Sequence, residues 1–223
     1  MEKKKILKNV LKIIIIIAVI LIVFLMIHTI RNYIIITGLQ DKISQYANSS
    51  NCYIKSIATE DNGTIVTMEY YKKDNKQVVF LERNLNGEIS KISMYRNGEK
   101  TDTFWDDNKG NKTAQLDGET IITINIYNYL ETDNNWQTFL GCITSKIKSV
   151  NYNGKECYII KGFMSSTSLT SEDAEVYIDK ETGLFVKTVE NGTVSEREYE
   201  FDKVEDSIFE EPDISQYILK ENN

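Results

Sequence analysis

Three hydrophobic patterns follow one another along the chain. Residues 13–27 form an unbroken apolar run, with Val10 and Leu11 before it across Lys12, and Thr29 and Ile30 after His28. A hydrocarbon core about 30 Å thick takes ~20 helical residues at ~1.5 Å each, so residues 10–30 can cross it with Lys12 snorkelling to the interface. The run has no polar face, unlike a helix lying on a membrane surface. Residues 33–46 then place Ile36, Leu39, Ile43 and Tyr46 on one stripe at helical spacing, which predicts a helix with one buried face. Asn48-Ser49-Ser50-Asn51 ends it. From Cys52 onward the period is two.

Turn signals divide this third region: Asn62-Gly63, Asp74-Asn75, Asn86-Gly87, Asn97-Gly98, Asn153-Gly154, Thr182-Gly183 and Asn191-Gly192. Asn-Gly suits a two-residue hairpin loop, because both central residues of a type I′ turn need positive φ. Treating three of these as such loops sets a register. Tyr70 faces Val79 and Met68 faces Leu81; Val79 faces Met94 and Leu81 faces Ile92; Met94 faces Thr101, Ile92 faces Thr103 and Ser90 faces Trp105. One face of the sheet then carries Val66, Met68, Tyr70, Val79, Leu81, Ile92, Met94 and Trp105. The other carries Thr67, Glu69, Glu82, Lys91, Ser93, Lys100 and Asp102. A wrong register would have mixed the two faces.

Residues 106–118 read as a loop or a poor strand, and residues 121–136 as a short helix. Strands follow at 143–150 and 157–163, a Ser/Thr-rich loop at 164–171, and strands at 176–180, 184–190 and 194–204. The expected fold class is α+β: a transmembrane helix, then an open antiparallel half-barrel of about ten strands with covering helices. The expected organisation is a cytoplasmic tail at 1–9, a transmembrane helix at 10–30, a membrane-proximal helix at 31–50 and an extracytoplasmic β domain at 51–223.

Charge sharpens the picture. Of 26 basic and 33 acidic residues, six basic and one acidic lie in residues 1–31. Residues 32–223 therefore hold 20 basic and 32 acidic residues, a net charge of −12. Nucleic acid is excluded as a partner, since affinity for it comes mainly from Lys and Arg neutralising phosphates. Lys3, Lys4, Lys5, Lys8 and Lys12 before the span, against Arg31 after it, place the N-terminus in the cytoplasm. A cleaved signal peptide is the rival reading. It needs small residues at a cleavage site, and His28-Thr29-Ile30-Arg31-Asn32-Tyr33 supplies none. An uncleaved anchor is the expectation, with His28 as an interfacial residue.

The candidate chemistry is sparse. His28 is the single histidine, so the outer domain has no base for a Ser–His or Cys–His pair and no imidazole for zinc. Neither phosphate-binding glycine loop is present. Residues 106–111 resemble a calcium loop, but the glycine falls one position early and Asp117 stands where Glu belongs. Glu210, Glu211 and Asp213 form the densest acidic cluster and read as solvated surface. Cys142 and Cys157 are held about 26 Å apart by the regular hairpin between them, far beyond disulfide reach. Unpaired core cysteines are expected, with a Cys52 pairing as the alternative. No cofactor, metal or catalysis is expected.

The C-terminal third resembles a known family. Tyr177-Ile178-Asp179-Lys180-Glu181-Thr182-Gly183-Leu184-Phe185-Val186-Lys187 is a strand–turn–strand; Tyr199-Glu200-Phe201 and Ile208-Phe209-Glu210-Glu211-Pro212-Asp213 follow. These resemble the closing hairpins and tail of the outer-membrane lipoprotein-sorting (LolA) and RseB-like superfamily and its membrane-anchored Gram-positive relatives. The resemblance implies an open half-barrel with helices over its mouth and an apolar concave surface able to take acyl chains or an apolar peptide. It carries no catalytic residues. Met68, Tyr70, Leu81, Met94 and Trp105 are the groove candidates, for a lipid or lipoprotein ligand. The opposing reading is that helices fill this face as ordinary core. A different reading again is an envelope sensor that binds a partner protein within a membrane complex and has no small ligand.

Overall fold

The computed structural model describes residues 2–47, 49–118, 130, 132, 134–163 and 174–220. The expected helix at 121–136 and the loop at 164–171 fall wholly or largely outside them. The first element is one helix, α1 (Glu2–Ala47), which runs unbroken through residues 30 and 31. It is long and apolar enough to cross a membrane, consistent with single-pass anchoring. Nothing in the sequence breaks it: the segment holds no proline, and its single glycine, Gly38, lies beyond the apolar run.

The rest is a twelve-stranded sheet with a second helix. The strands are β1 (Asn51–Thr59), β2 (Ile65–Lys73), β3 (Lys76–Leu85), β4 (Glu88–Asn97), β5 (Lys100–Asp106), β6 (Lys112–Gly118), β7 (Lys146–Tyr152), β8 (Lys155–Lys161), β9 (Glu175–Asp179), β10 (Phe185–Glu190), β11 (Thr193–Phe201) and β12 (Ile218–Leu219). Helix α2 (Asn135–Thr144) lies between β6 and β7. The spatial order is β12-β6-β5-β4-β3-β2-β1-β11-β10-β9-β8-β7. Every pairing is antiparallel except β12 on β6. The α+β class and the open, mostly antiparallel sheet are as expected.

The hairpin registers at Asp74-Asn75 and Asn86-Gly87 match the expectation: Tyr70 faces Val79, Met68 faces Leu81, Val79 faces Met94 and Leu81 faces Ile92. The next hairpin corrects it. Met94 faces Thr103 and Ile92 faces Trp105, with Asn97 opposite Lys100. The loop is therefore Gly98-Glu99. Asp74, Asn86, Asn153 and Asn191 take positive φ, but Asn97 does not; Gly98 does, at 73°. A loop needing left-handed geometry at its first central position places glycine there and moves the register by two. Because side chains alternate with period two, this two-residue shift leaves every residue on its expected face, against the expectation that any wrong register mixes the faces. The weak segment after Asp106 resolves into a loop followed by β6, and the strand expected from residue 143 starts at Lys146, after α2.

The stripe predicted on α1 is buried: Ile36 is 0%, Leu39 2% and Ile43 4% exposed. It lies across one face of the sheet, the inner face, and joins two clusters. One contains Ile36 and Leu39 with Ile147, Ile160, Val176, Ile178 and Phe185 of β7–β10 and Cys142 of α2. The other contains Ile43 with Cys52, Ile54, Tyr70, Val79 and Leu184. Each such side chain contributes roughly 1.5–3 kcal/mol when fully withdrawn from water.

The outer face carries an aromatic ladder. Tyr53, Tyr71, Phe80, Tyr95 and Phe104 follow one another across β1–β5 at centroid spacings of 4.7, 5.9, 6.0 and 5.7 Å, and Tyr217 of the C-terminal tail adds to Phe104 at 5.1 Å. The tail crosses this back face. Asp206 pairs with Lys73 at 2.9 Å, Lys76 lies over Phe209, and the strand β12 closes on β6.

Candidate functional site

Cross-strand pairing arranges the inner face of β11 and β1–β5 in two rows. The deep row runs Tyr199, Ile54, Tyr70, Val79, Met94, Thr103. The shallow row runs Arg197, Ser56, Met68, Leu81, Ile92, Trp105. Helix α1 seals the middle of the deep row: Ile54 is 0%, Tyr70 5% and Val79 3% exposed, against Ile43 and Leu184. The shallow row is different. Met68, Leu81, Ile92 and Trp105 are all half-buried.

The five groove candidates therefore share one face but not one role. Tyr70 belongs to the core, where burial pushes its hydroxyl pKa up to about 12, with the neighbouring Cys52 adding to the shift. Met94 lies in the deep row, half-buried, and packs on that cluster, as does Met68. Met68, Leu81 and Trp105 stand in the shallow row, and Ile92 between the last two joins them. The ammonium of Lys220 lies 4.2 Å from the centre of the Trp105 ring, so one face of the indole meets a charge brought back by the tail.

Arg197 is the residue that pattern reading passed over. Its guanidinium stacks 4.1 Å from the centroid of Phe185, while Nε and Nη1 are buried without a hydrogen-bond partner. Beside it Ser56 Oγ and Ser195 Oγ are 3.3 Å apart. The signal was present: in Ser195-Glu196-Arg197-Glu198-Tyr199-Glu200-Phe201 the period-two face of Tyr199 and Phe201 also contains Arg197.

The outer side holds a shallow recess of about 310 Å³ lined by Thr67, Glu69, Phe80, Leu81, Glu82, Lys91, Ile92 and Ser93. Its lining mixes polar and apolar groups, and Lys91 and Glu82 close on each other at 3.0 Å. Six of its lining residues point to the face opposite the two rows, and Leu81 and Ile92 of the shallow row complete it.

The reactive residue types are accounted for by local structure. Cys52, Cys142 and Cys157 are free and buried. Desolvation raises all three thiol pKa values, that of Cys142 to about 11, which disfavours the nucleophilic thiolate. In the Asp106–Asn111 turn, Asp107 accepts from the backbone N–H groups of Lys109 and Asn111 and from the Asn111 side chain. Those bonds, the Asn111 side chain first, hold its carboxyl below the usual range. Asp213 accepts from Ser215 N–H in the tail. Glu211 lies against Asp102, and burial first and that carboxyl second raise its pKa. Among the described residues no three His, Cys, Asp or Glu side chains gather as a metal site would require.

No family model matches the chain, and no curated protein shows significant similarity to it. Among solved structures, it is similar to an uncharacterized conserved protein from Thermus thermophilus, with TM-score 0.47 and 9% identity over 82% of this chain and 98% of that one. It is also similar to a LolA superfamily protein from Nitrosomonas europaea, with TM-score 0.26 and 8% identity over 78% and 97%. A putative outer membrane lipoprotein-sorting protein domain from Vibrio parahaemolyticus gives TM-score 0.24 and 9% identity over 78% and 95%. LolA superfamily proteins thus stand among the structural neighbours, and at TM-scores under 0.5 the likeness assigns neither ligand nor activity.

Proposed function

We propose that this chain is a membrane-anchored binding module, not an enzyme, whose outer domain receives the acyl chain of a lipid or lipoprotein along Met68, Leu81, Ile92 and Trp105. The observation that supports it is the shallow row itself. Four large apolar side chains stand in one cross-strand line and stay half-buried, on a face whose deeper row is sealed at its middle. Three inter-strand spacings make that line ~14 Å long. An acyl chain occupies half of the ~30 Å hydrocarbon core, about 15 Å. Met68 supplies an adaptable wall and Trp105 a rigid end. The lysines before the span set the N-terminus in the cytoplasm, with the β domain on the other side.

The test uses the full chain in nanodiscs containing a phospholipid with a photoreactive group along its acyl chain. After irradiation, adducts mapped by peptide mass spectrometry are expected on β2–β5 at the shallow row as well as on α1. Adducts confined to α1 would overturn the proposal.

A further inference from the structure

Helix α2 is built inside out for a soluble domain. Its sequence is Asn-Trp-Gln-Thr-Phe-Leu-Gly-Cys-Ile-Thr, from 135 to 144. The apolar stripe is Trp136, Phe139, Leu140 and Ile143, at the spacing of one helix face. The face that is buried is the other one: Thr138 at 1%, Cys142 at 0% and Gly141, with Ser145 just beyond at 0%. Trp136 is 65% and Leu140 45% exposed. In water the free-energy ordering runs the opposite way, since Trp and Leu gain far more from burial than Thr, Gly or Ser.

The placement of α2 along α1 supplies the reason. Asn32 donates from Nδ2 to the carbonyls of Cys142, at 3.2 Å, and Ser145, at 2.8 Å, satisfying the C-terminal end of α2. His28 Nε2 lies 3.1 Å from the same Ser145 carbonyl. Higher up, Tyr33 meets Phe139 edge-on at 6.1 Å, and Phe139 stacks on Trp136 at 5.7 Å. The unbroken apolar run of α1 ends at Ile27, directly before His28. From His28 to Tyr33 is five residues, ~7.5 Å of helix. The polar layer on each side of a bilayer is about 5–8 Å thick, the difference between the core and the whole membrane shared by two leaflets. Thus the α2 contacts on α1 fall within one headgroup layer of the span. On α1 the exposed apolar line also continues past the run, through Ile30 at 48% and Ile34 at 64%.

Charge agrees. Residues 32–223 carry a net −12, yet residues 134–155 contain no acid. Arg31 on α1 and Lys146 and Lys148 at the start of the edge strand β7 are exposed beside the α2 C-terminus. A bilayer with anionic headgroups would repel the domain as a whole and attract it at this one place.

We propose that α2 is an interfacial helix. Its Trp136–Leu140 face lies in the headgroup layer of the leaflet where α1 leaves the membrane on its C-terminal side, and Arg31, Lys146 and Lys148 meet lipid phosphates. Tryptophan suits that layer, with an apolar ring and one N–H for the wet side. The β domain is then held against the bilayer by two elements in a fixed orientation, rather than swinging on one. This rests on α1 spanning the membrane and is independent of what the shallow row binds.

The test uses the full chain with Trp105→Phe, leaving Trp136 as the only tryptophan, in nanodiscs of phosphatidylcholine and phosphatidylglycerol. Lipids brominated near the headgroup end of the chain should blue-shift and quench most of the Trp136 emission. Lys146→Glu with Lys148→Glu should reverse much of that quenching. Red-shifted, unquenched emission would overturn the proposal, and quenching indifferent to both charge reversals would overturn its basic contact. A nitroxide at Leu140→Cys reads the same depth with Trp105 intact, the native thiols being buried. Greater accessibility to oxygen than to a water-soluble nickel complex is expected, and the reverse would contradict it. Protein that fractionates as an integral membrane protein yet fails both readouts would refute the interfacial helix and leave the anchor standing.

Discussion

The two halves of the inner sheet face are both apolar in sequence and unequally covered in space. In β7–β10 the inward residues Ile160, Val176, Ile178 and Phe185 are 2%, 7%, 1% and 3% exposed under α1 and α2. In β2–β5 the inward residues of the shallow row, Met68, Leu81, Ile92 and Trp105, remain half-buried. The lesson is that period-two patterning tells which face of a sheet is apolar, whereas the position of a covering helix decides which part of that face is core. Both halves read alike along the chain because much of the covering comes from residues 36–46, which adjoin β1 but are distant in sequence from β7–β10.

The largest expected effect lies in the closed half. Ile178→Ala should cost about 2–5 kcal/mol of unfolding free energy, the range for emptying a sealed core position. Leu81→Ala should cost about 1 kcal/mol, since only half of its surface is withdrawn. Denaturant melts of the two variants in detergent should separate them clearly, and equal costs would erase the distinction between the halves. Next comes Gly183, in the β9–β10 turn, with φ of 76°. A Cβ there would sit 2.6 Å from the Leu39 carbonyl oxygen and 3.0 Å from the Ile43 nitrogen, both backbone atoms of α1. Gly183→Ala should therefore cost more than about 1 kcal/mol and raise amide exchange in residues 36–46, because strain and close approach act together.

How much of this was legible follows the same divide. Asn-Gly and Asp-Asn turns fixed faces and most registers because their geometry is local. The shift at Gly98 was not visible, since Asn97-Gly98 reads like the other Asn-Gly pairs until Asn97 declines positive φ. The five groove candidates were placed on the correct face, but Tyr70 was not separable from Leu81 by pattern. Its burial depends on Ile43 and Leu184 arriving from elsewhere. Helix α2 was not read from the sequence: the helix expected at 121–136 lies largely outside the described residues, and residues 135–144 bury their small, polar side, so the apolar stripe points away from the domain.

Smaller effects sharpen the boundary between the halves. Arg197 lies there, with two buried N–H-bearing nitrogens unpartnered. A buried donor without an acceptor is a cost rather than a support. Arg197→Met, similar in length and able to keep the Phe185 contact, should leave stability within about 1 kcal/mol or raise it. A loss well beyond that in a melting experiment would mean that the guanidinium is an essential brace. The smallest effect is on the back face. Burial raises the Glu211 pKa, with Asp102 adding to the shift. A carboxyl raised on folding contributes its stability fully below the ordinary carboxylate range and loses it as pH rises through the raised value. The tail should therefore grip better in mild acid than at neutral pH. Glu211→Gln should flatten that dependence, read as amide exchange in residues 206–219 at the two pH values.

The central claim is that an acyl chain lies on the shallow row and not on the other side of the same strand. Leu81 and Glu82 are adjacent on β3 and point to opposite faces. A photo-crosslinking amino acid at each position in turn, in cells fed a radiolabelled fatty acid, compares the two faces directly. Label is expected on the protein carrying the crosslinker at position 81 and not on that at 82. Equal labelling at both, or none at 81, would contradict the account.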